Sequence, residues 1–346
     1  MMLPFNEKGG ILNQDCRDRP AAVRIGPRSA EKSRDGLSDS GIEGPMREEY
    51  HIISDGSCDL PPELVQEKNI TVVPFYVSFD DKKYLKEGVD IGVRDFYQQM
   101  VDRKGVYPKS CMPGIRDYEE VFLPYAKEGL PVICICITTK FSGSMQTALN
   151  AREMVLETYP EAKITVIDAT VNTVLQGLYV LEAVKLRDSG VPYEDAVRRL
   201  EEIRSTGRIF FTVGDMEYLK HGGRTGKVAA VAGSVLGIRP VITLKQGEIF
   251  PSGIGRSRRK TTEKSLELLV DYLKASKLSA DCYSLALGFG YDYQEAVEYR
   301  AHVLETLHKN GFAVEEFPIY QIGAGIGVHT GPYPLGLGII EKAMHD

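Results

Sequence analysis

Short apolar runs alternate with longer amphipathic stretches from about residue 50 to the end of the chain, and this alternation constrains the fold most. Several apolar runs are continuous, which is typical of strands covered on both faces. We predict strands at residues 50–54, 70–78, 132–138, 164–167, 209–213, 241–244, 283–288 and 314–322. The stretches between them have helical periodicity and are long enough for crossover helices, at residues 93–104, 116–127, 144–159, 172–189, 193–205, 256–275 and 293–309. The alternation predicts an α/β fold.

The length of the chain predicts more than one structural unit. At roughly 150 residues per domain, 346 residues correspond to about two domains. A first series of strands and helices ends near residue 205, and a second begins near residue 209. We therefore expect an N-terminal α/β subdomain at about 49–206 and a C-terminal α/β subdomain at about 207–342.

The first 48 residues differ in composition from the rest of the chain. Up to residue 45 they contain one aromatic residue, Phe5, with scattered glycine and proline and frequent charges. Such a composition favours disorder, because little apolar surface is available for burial. We predict a disordered N-terminal extension at 1–48. The charged residues after Met46 lead directly into the first strand, which makes Met46 a candidate for the biological start.

The charge balance argues against a role in nucleic-acid binding. Acidic residues outnumber basic ones, 48 to 42, and the net charge is -6, so the chain as a whole does not attract a polyanion. The longest apolar runs, such as 131–137 and 228–238, are shorter than the roughly 20 residues that span a bilayer. The N-terminus has no apolar core of a secretion signal, which favours a cytoplasmic location.

Familiar catalytic and metal-binding motifs are not found in the sequence. Cys134 and Cys136 alternate within an apolar run and have no second Cys/His pair nearby, which favours buried thiols over a metal or redox site. The chain contains no H-E-x-x-H, G-x-S-x-G or P-loop pattern. The glycines at 323, 325 and 327 do not complete a dinucleotide fingerprint, because position 328 is valine.

Polar turns follow the apolar strands, and open α/β sheets bind ligands at such strand ends. After the strand at 132–138, Ser142 and Gly143 lead into a helix that begins near Ser144. Hydroxyls and backbone N–H groups at a helix N-terminus can bind an anion, although an ordinary serine cap is the alternative.

Three further turns carry candidate residues. Ser110 lies in a turn at 107–114, where it is either a turn former or part of the same crevice. Arg224 follows two glycines and suits either a helix C-cap region or contact with an anion. His329 is predicted to lie in a glycine-rich turn, where close backbone approach leaves room for a ligand.

Two other interpretations of the polar residues stay open. Ser142 and His329, with Asp55 or Asp168, could form the triad of a serine-dependent acyl hydrolase or transferase, although no spacing singles this out. The basic run is interpreted as a solvated helix start, with a partner-docking patch as the alternative; it comprises Arg256, Arg258, Arg259 and Lys260.

Taken together, six segments resemble the DegV family of bacterial lipid-binding proteins. In chain order they are SDGSCDLP at 54–61, KSCMPG at 109–114, TTKFSGSMQTA at 138–148, DATVNTVLQG at 168–177, YLKHGGRTGK at 218–227 and IGVHTGPYPLG at 326–336. Each segment alone is weak, but six in the family's order are specific. The resemblance covers about residues 49–342.

The resemblance implies a function. Proteins of this family have two α/β domains that close over a long-chain fatty acid such as palmitate or oleate, with the tail in an apolar tunnel. They are not enzymes themselves. They present the bound acid to the catalytic subunit of a fatty acid kinase, which makes the acyl phosphate used in phospholipid synthesis. The resemblance implies no cofactor or metal besides the bound lipid, no nucleic acid, and transient contact with the membrane.

The resemblance also implies which residues bind the carboxylate. Ser110 stands at the threonine of the family's T-S-Q-P-S motif, Ser142 at the serine of S-G-T, and His329 at the histidine of H-T-G-P. Gly143 and Thr330 belong to the same motifs, and Arg224 stands at the arginine of the family's G-G-R motif, near the head-group region. The chain departs from the family pattern at several adjacent positions, which leaves the preferred acyl chain open; these are Cys111, Met112, Gly114, Ser144, Met145 and Pro334.

Elementary energetics fit such a ligand. A fatty carboxylate has a pKa near that of glutamate, about 4.3, so it arrives ionised and needs hydrogen-bond donors when buried. Roughly 15 methylenes at about 0.8 kcal/mol each supply on the order of 12 kcal/mol before ordering costs. Candidate tunnel walls are the stretch 228–238, for which an ordinary core helix is the alternative, and aliphatic residues near Phe75 and Phe141. Whether His329 is protonated beside the carboxylate stays open.

Overall fold

A computed structural model describes residues 49–228 and 239–345. These residues belong to one compact unit, Arg47–Asp346. No helix within the described ranges is long and apolar enough to cross a membrane. The extension expected at 1–48 lies outside them, and so does the stretch 228–238 except for Val228. The division near residue 207 stays a prediction.

The strands lie in three sheets. In chain order the strands are β1 His51–Asp55, β2 Ile70–Val73, β3 Tyr76–Ser78, β4 Leu85–Lys86, β5 Lys109–Cys111, β6 Val132–Cys136, β7 Ile164–Asp168, β8 Arg208–Thr212, β9 Arg239–Lys245, β10 Glu248–Gly255, β11 Tyr283–Phe289, β12 Ile319–Gln321 and β13 Leu335–Glu341. A parallel sheet has the order β2-β1-β6-β7, a mixed sheet β10-β9-β8-β13-β11-β12, and a small antiparallel sheet β4-β3-β5.

Helices connect and cover these sheets. In chain order the described α-helices are α1 Pro62–Glu67, α2 Val93–Asp102, α3 Ile115–Glu128, α4 Ser144–Thr158, α5 Thr173–Asp188, α6 Tyr193–Ile203, α7 Glu217–His221, α8 Arg258–Ala275, α9 Tyr293–Lys309 and α10 Ala324–Thr330. The side chain of Ser257 caps α8 and that of Asp292 caps α9, each by accepting a backbone N–H of the first turn. The α/β class predicted from the alternation is confirmed.

The parallel sheet is buried on both faces, which explains its continuous apolar strands. All residues of β1 and β6 are buried. Successive side chains of a strand point to opposite faces, so Ile53 and Cys134 pack in one apolar cluster with residues of α3 and α4, while Ile52 and Ile135 pack in another with residues of α5. Cys136 is also buried, so the prediction of buried thiols is confirmed.

Helix α5 lies between the parallel sheet and the mixed sheet. It contacts β1 on one side and β11 and β13 on the other. Most of its residues are buried around the whole circumference, as expected for a helix enclosed by the core. Gly177 permits this packing, because a Cβ at that position would overlap the carbonyl oxygen of Cys58.

The amphipathic helices were predicted close to their observed ends. The helix expected at 293–309 is α9, Tyr293–Lys309, and the one expected at 144–159 is α4, Ser144–Thr158. The helix expected at 256–275 begins two residues later, at Arg258, after the Ser257 cap. These helices have one apolar stripe and clear terminal signals, so local pattern determines them.

Two predicted strands are shorter than expected. The run 70–78 is split into β2 and β3 around Pro74, which has no N–H to donate to a ladder. The two pieces enter different sheets. The run 314–322 contains only the short strand Ile319–Gln321, which begins directly after Pro318.

Four strands were not predicted, namely β4, β5, β10 and β13. Of these, β13 is central in the mixed sheet, between β8 and β11. The sequence pattern did not indicate this strand because it contains two glycines, and glycine is depleted in strands. They are needed here, because a Cβ at Gly336 would lie 2.6 Å from the Cβ of Phe211, and one at Gly338 would lie 3.3 Å from the Cβ of Leu175 in α5.

Within the basic run at the start of α8, Arg258 makes contacts with another helix. Arg258 forms a two-pronged ion pair with Glu295 of α9, with N···O distances of 2.6 and 2.7 Å, and also donates to the carbonyl of Tyr333. Arg259 lies 3.9 Å from Glu263 of its own helix. Arg256 and Lys260 are exposed. Arg258 therefore joins α8 to α9 through an ion pair.

Candidate ligand-binding site

His329 lies in a helix, so the expectation of a glycine-rich turn was wrong. The helix is α10, Ala324–Thr330. Its glycines allow close packing: a Cβ at Gly325 would lie 3.1 Å from the Cβ of Phe75, and one at Gly327 would lie 2.8 Å from the hydroxyl of Tyr97. Glycine disfavours a helix in isolation, and here tertiary packing overrides that preference.

A buried glutamate holds the N-terminal end of α10. The two carboxyl oxygens of Glu87 accept the backbone N–H groups of Ala324 and Gly325 at 2.5 and 3.1 Å. Asp59 lies against the neighbouring Gly323 and accepts a hydrogen bond from Thr173 at 2.5 Å. The two contacts of Glu87 satisfy first-turn N–H groups that have no partner within the helix.

Both carboxyl groups are affected by their burial. Burial raises the pKa of Glu87 to about 7, against the opposing effect of the two N–H donors. Burial also raises the pKa of Asp59 well above its usual value, and the nearby Glu87 acts in the same direction. Sequence analysis missed both residues as supports of His329, because no local pattern connects positions 87 and 329.

Ser110 lies beside His329 although 219 positions separate them. Ser110 is in strand β5 rather than in the turn that was expected, and it pairs with Val77 of β3. Its Oγ lies 3.3 Å from Nε2 of His329, at hydrogen-bonding distance. Both residues are partly buried.

The other edge of the His329 ring faces the turn after α7. A Cβ at Gly222 would overlap Nδ1, so the ring lies directly on the backbone there. Nδ1 is buried and has no hydrogen-bond partner of normal geometry within the described residues. Burial lowers the pKa of His329 to about 3, the positive charge of Arg224 acts in the same direction, and the backbone of Gly222 opposes them weakly. The ring is therefore neutral at physiological pH.

Ser142 lies in the loop between β6 and α4. The backbone N–H of Ser144 donates to its Oγ at 3.2 Å, and its own N–H donates to the carbonyl of Thr138 at 3.3 Å. A Cβ at Gly143 would lie 3.0 Å from Sδ of Met112, two residues after Ser110. The loop of Ser142 thus packs against the segment that carries Ser110.

Arg224 connects the Ser142 loop to the backbone behind His329. Its Nε donates to the carbonyl of Phe141 at 3.2 Å, and its Nη1 donates to the carbonyl of Gly222 at 2.9 Å. These are backbone contacts, and the side chain is exposed. Burial of part of the group lowers its pKa, but an arginine stays charged at neutral pH. Arg224 therefore places a positive charge near His329 and the loop of Ser142.

The remaining predicted residues have other positions. Thr330 is buried, and its hydroxyl donates to the carbonyl of Ile326 at 3.4 Å. Phe75 packs on α10, and Phe141 packs at the edge of the main apolar cluster. Val228 is buried, and the rest of the expected tunnel wall at 228–238 lies outside the described residues.

Neither candidate carboxylate of the hydrolase triad bonds to His329 within the described residues. Asp168 accepts hydrogen bonds from the hydroxyl of Thr139 at 2.7 Å and the N–H of Thr170 at 2.7 Å. The carboxyl group of Asp55 accepts hydrogen bonds from four other donors. The part of the chain described contains no cluster of three or more His, Cys, Asp or Glu side chains arranged to hold a metal ion.

Comparisons with known proteins give the family of this chain and the fold that it shares. The family model described as "Uncharacterised protein, DegV family" matches residues 49–342. A DegV domain-containing protein of Caldanaerobacter subterraneus subsp. tengcongensis is 30% identical over 295 residues, which is 85% of this chain and 100% of that protein. The match therefore covers the whole length of that relative, and part of this chain lies outside it.

Solved structures show the same fold. A crystal structure described as a stearic acid-binding protein, from Eubacterium ventriosum, superposes with a TM-score of 0.81 at 42% identity and covers 85% of this chain and 99% of that one. A DegV family protein from Thermus thermophilus, described by its fatty acid binding, has a TM-score of 0.74 at 26% identity, with the same coverage. On the family match and these relatives, the chain belongs to the DegV family.

Proposed function

We propose that this protein reversibly binds a long-chain fatty acid, whose carboxylate is held by Ser110, Ser142 and His329. The observation that carries the proposal is the 3.3 Å contact between Ser110 Oγ and His329 Nε2, which joins residues from distant parts of the chain. Gly143 in the loop of Ser142 packs against Met112, two residues after Ser110. The likeness to the stearic acid-binding protein of Eubacterium ventriosum supports a fatty acid as the ligand.

The three side chains suit an ionised carboxylate. His329 is neutral, so the ring donates through Nε2–H when the proton is on that nitrogen. The hydroxyls of Ser110 and Ser142 add two further donors. Together they can replace the hydration of the carboxylate without a permanent buried counter-charge. Arg224 contributes a favourable field from the exposed side. A site of this kind releases its ligand more readily than one built on a buried ion pair.

Affinity comes mainly from the acyl tail. About 15 methylenes supply on the order of 12 kcal/mol gross, whereas each hydrogen bond contributes about 0.5–1.5 kcal/mol net and up to about 3 when one partner is charged. Loss of one head-group donor should therefore weaken binding without abolishing it. The head group sets the orientation of the lipid, and the tail sets the affinity.

We further propose that the bound acid is presented to the catalytic subunit of a fatty acid kinase, which forms acyl phosphate for phospholipid synthesis in the cytoplasm. A phosphoryl donor must reach the carboxylate, so the head-group site has to open at the surface. Consistent with this, Ser110, Ser142 and His329 are partly exposed and Gly143 is exposed. The protein itself then acts as a non-catalytic carrier.

Mass spectrometry of freshly isolated full-length protein tests the proposed ligand. We expect one fatty acid of 16 to 18 carbons per chain, and retention reduced about tenfold or more in Ser142→Ala and His329→Ala. His302→Ala is the matched control, because His302 is a partly exposed histidine on α9 that pairs with Glu263. Protein that carries no lipid and, after lipid extraction, fails to bind palmitate, oleate or stearate would refute the proposal.

The kinase role has a separate test. With a DegV-type fatty acid kinase catalytic subunit and ATP, we expect acyl phosphate to form only when this protein and its fatty acid are present. Acyl ester turnover by the protein alone, lost in Ser142→Ala while binding persists, would instead support an acyl hydrolase. The geometry does not favour that enzyme, because His329 contacts Ser110 and no carboxylate orients its Nδ1 within the described residues.

A further inference from the structure

Asp55 is a fully buried carboxylate that the proposed function does not use. It stands at the carboxyl end of β1, and its two oxygens accept four hydrogen bonds. One oxygen accepts from the N–H of Ser57 at 3.3 Å and from Nε2 of Gln176 at 2.8 Å. The other accepts from the N–H of Ile137 at 2.9 Å and from Oγ of Ser144 at 2.8 Å. The four donors occupy the lone-pair positions of an ionised carboxylate.

The direction of the hydrogen bonds at Ser144 follows from this arrangement. A serine hydroxyl has one proton, and an ionised Asp55 can only accept, so Ser144 donates to Asp55. The hydroxyl of Tyr118 lies 2.6 Å from the same Oγ and must therefore be the donor there. All three side chains are fully buried. The order Tyr118 to Ser144 to Asp55 is thus fixed, which holds Ser144 in one orientation.

Ser144 in turn determines how Ser142 is presented. The backbone N–H of Ser144 donates to Oγ of Ser142 and occupies one of its lone pairs, so the Ser142 proton is directed elsewhere. Ile137 and Ser144 stand at the two ends of the loop that contains Ser142. Because one oxygen of Asp55 holds both ends, it sets the spacing of the loop from the sheet.

We propose that Asp55 is a positioning residue for the head-group site: it fixes the loop 137–144 so that the hydroxyl of Ser142 donates to the ligand carboxylate. Asp55 does not touch the ligand and acts through Ser144. This inference rests on the proposed function, since it assigns a role to Ser142 in carboxylate binding. A purely structural Asp55 would stabilise the fold without any selective effect on the head group.

Binding of palmitate and of methyl palmitate separates these two roles, because the ester has the same tail and no charge. After lipid extraction, dissociation constants are measured for the full-length protein and for Asp55→Asn, Ser144→Ala, Ser142→Ala and Asp55→Asn/Ser142→Ala. We expect Asp55→Asn and Ser144→Ala each to weaken palmitate binding about tenfold and ester binding less than about twofold. In the Ser142→Ala background, Asp55→Asn should add less than about twofold, because its target is already absent.

Two variants serve as matched controls. Ser265→Ala removes an equally buried serine hydroxyl in α8, which donates to the carbonyl of Thr261 at 3.0 Å. Glu182→Gln changes a buried carboxylate that accepts the N–H of Ala343 at 2.9 Å. Neither change should alter the ratio of palmitate to ester affinity. If Asp55→Asn does not fold, Ser144→Ala and its combination with Ser142→Ala provide the same comparison.

The outcomes are distinguishable. Equal weakening of palmitate and ester binding by Asp55→Asn, or an undiminished effect in the Ser142→Ala background, would overturn the positioning role and leave the proposed function intact. Failure of the unaltered protein to bind palmitate would overturn the proposed function and this inference with it.

Discussion

At the scale of single residues, the position of His329 depends on what surrounds it rather than on its own chemistry. The ring lies on the backbone of Gly222 on one side and against Ser110 on the other. Any side chain at position 222 would occupy the space of the ring. A glycine is required at that position by close approach, since its backbone is not left-handed.

Gly222→Ala should therefore displace His329 and weaken fatty acid binding by about tenfold or more, while most of the core stays intact. Equilibrium binding of palmitate by the lipid-free protein checks this. Gly253→Ala is the control, because a Cβ there meets Lys264 and Val241 at no less than 3.2 Å and is far along the chain from the site. Unchanged palmitate affinity in Gly222→Ala would contradict the assigned position of the ring.

Glu87 makes stability depend on pH in a definite direction. Its pKa is about 7 in the folded chain and 4.5 in an ordinary environment, so between these values the folded chain retains a proton that the unfolded chain has lost. The contribution is complete below pH 4.5 and is lost as pH rises through 7. Its size is on the order of 3 kcal/mol. Asp59 and Tyr97 are its buried titratable neighbours.

In Glu87→Gln this titration is absent. We expect the melting temperature of the unaltered protein, minus that of the variant, to decrease steadily from pH 5 to pH 8. Thermal unfolding in buffers of constant ionic strength measures the difference. A difference that does not change over this range would show that Glu87 is ionised throughout. The variant should also be less stable overall, since an amide nitrogen cannot accept the N–H of Gly325.

At the scale of elements, α5 is the helix on which both large sheets pack, and a buried carboxylate fastens it. Glu182 accepts hydrogen bonds from Nζ of Lys185, Oγ of Ser284 in β11 and the N–H of Ala343, at 2.6, 2.7 and 2.9 Å. One side chain thus joins the helix, a strand of the mixed sheet and the C-terminal segment.

Glu182→Ala should lower the free energy of unfolding by about 2–4 kcal/mol, because it leaves the buried N–H of Ala343 and the partly buried hydroxyl of Ser284 without their acceptor. Urea denaturation followed by circular dichroism measures this. Glu305→Ala is the control on α9, where the pair with Lys309 is exposed and contributes less than about 1 kcal/mol. Similar losses in both variants would show that Glu182 has no special role in joining α5 to its neighbours.

Some helices and strands could be predicted from the sequence more closely than others. Helices such as α4 and α9 were predicted to within a residue or two, because an apolar stripe and its end signals are local properties. The strand β13 and the helix α10 were missed, because both are rich in glycine. Their glycines serve close contacts with other elements, so the reason for them is visible only after folding.

At the scale of the whole molecule, the family model matches residues 49–342 and leaves the first 48 residues outside the match. A chain that begins at Met46 retains the whole matched region.

A chain that begins at Met46 should therefore unfold at the same temperature as the full chain, within about 3 °C, and bind palmitate equally well. Differential scanning calorimetry and equilibrium binding of the two proteins side by side provide the comparison. A markedly lower melting temperature or weaker binding in the shorter chain would show that the N-terminal segment takes part in the fold or the site.

The sequence alone determined the α/β class, most of the helices, the buried Cys134 and Cys136, and a resemblance that pointed to Ser110, Ser142 and His329. These depend on local periodicity and on motifs within short segments. Tertiary structure alone decided that Ser110 meets His329, that the ring lies on the backbone of Gly222, and which buried groups donate to Asp55 and Glu87. Such contacts join residues far apart in the chain, and their geometry is set by how the sheets and α5 pack together, which no local pattern encodes.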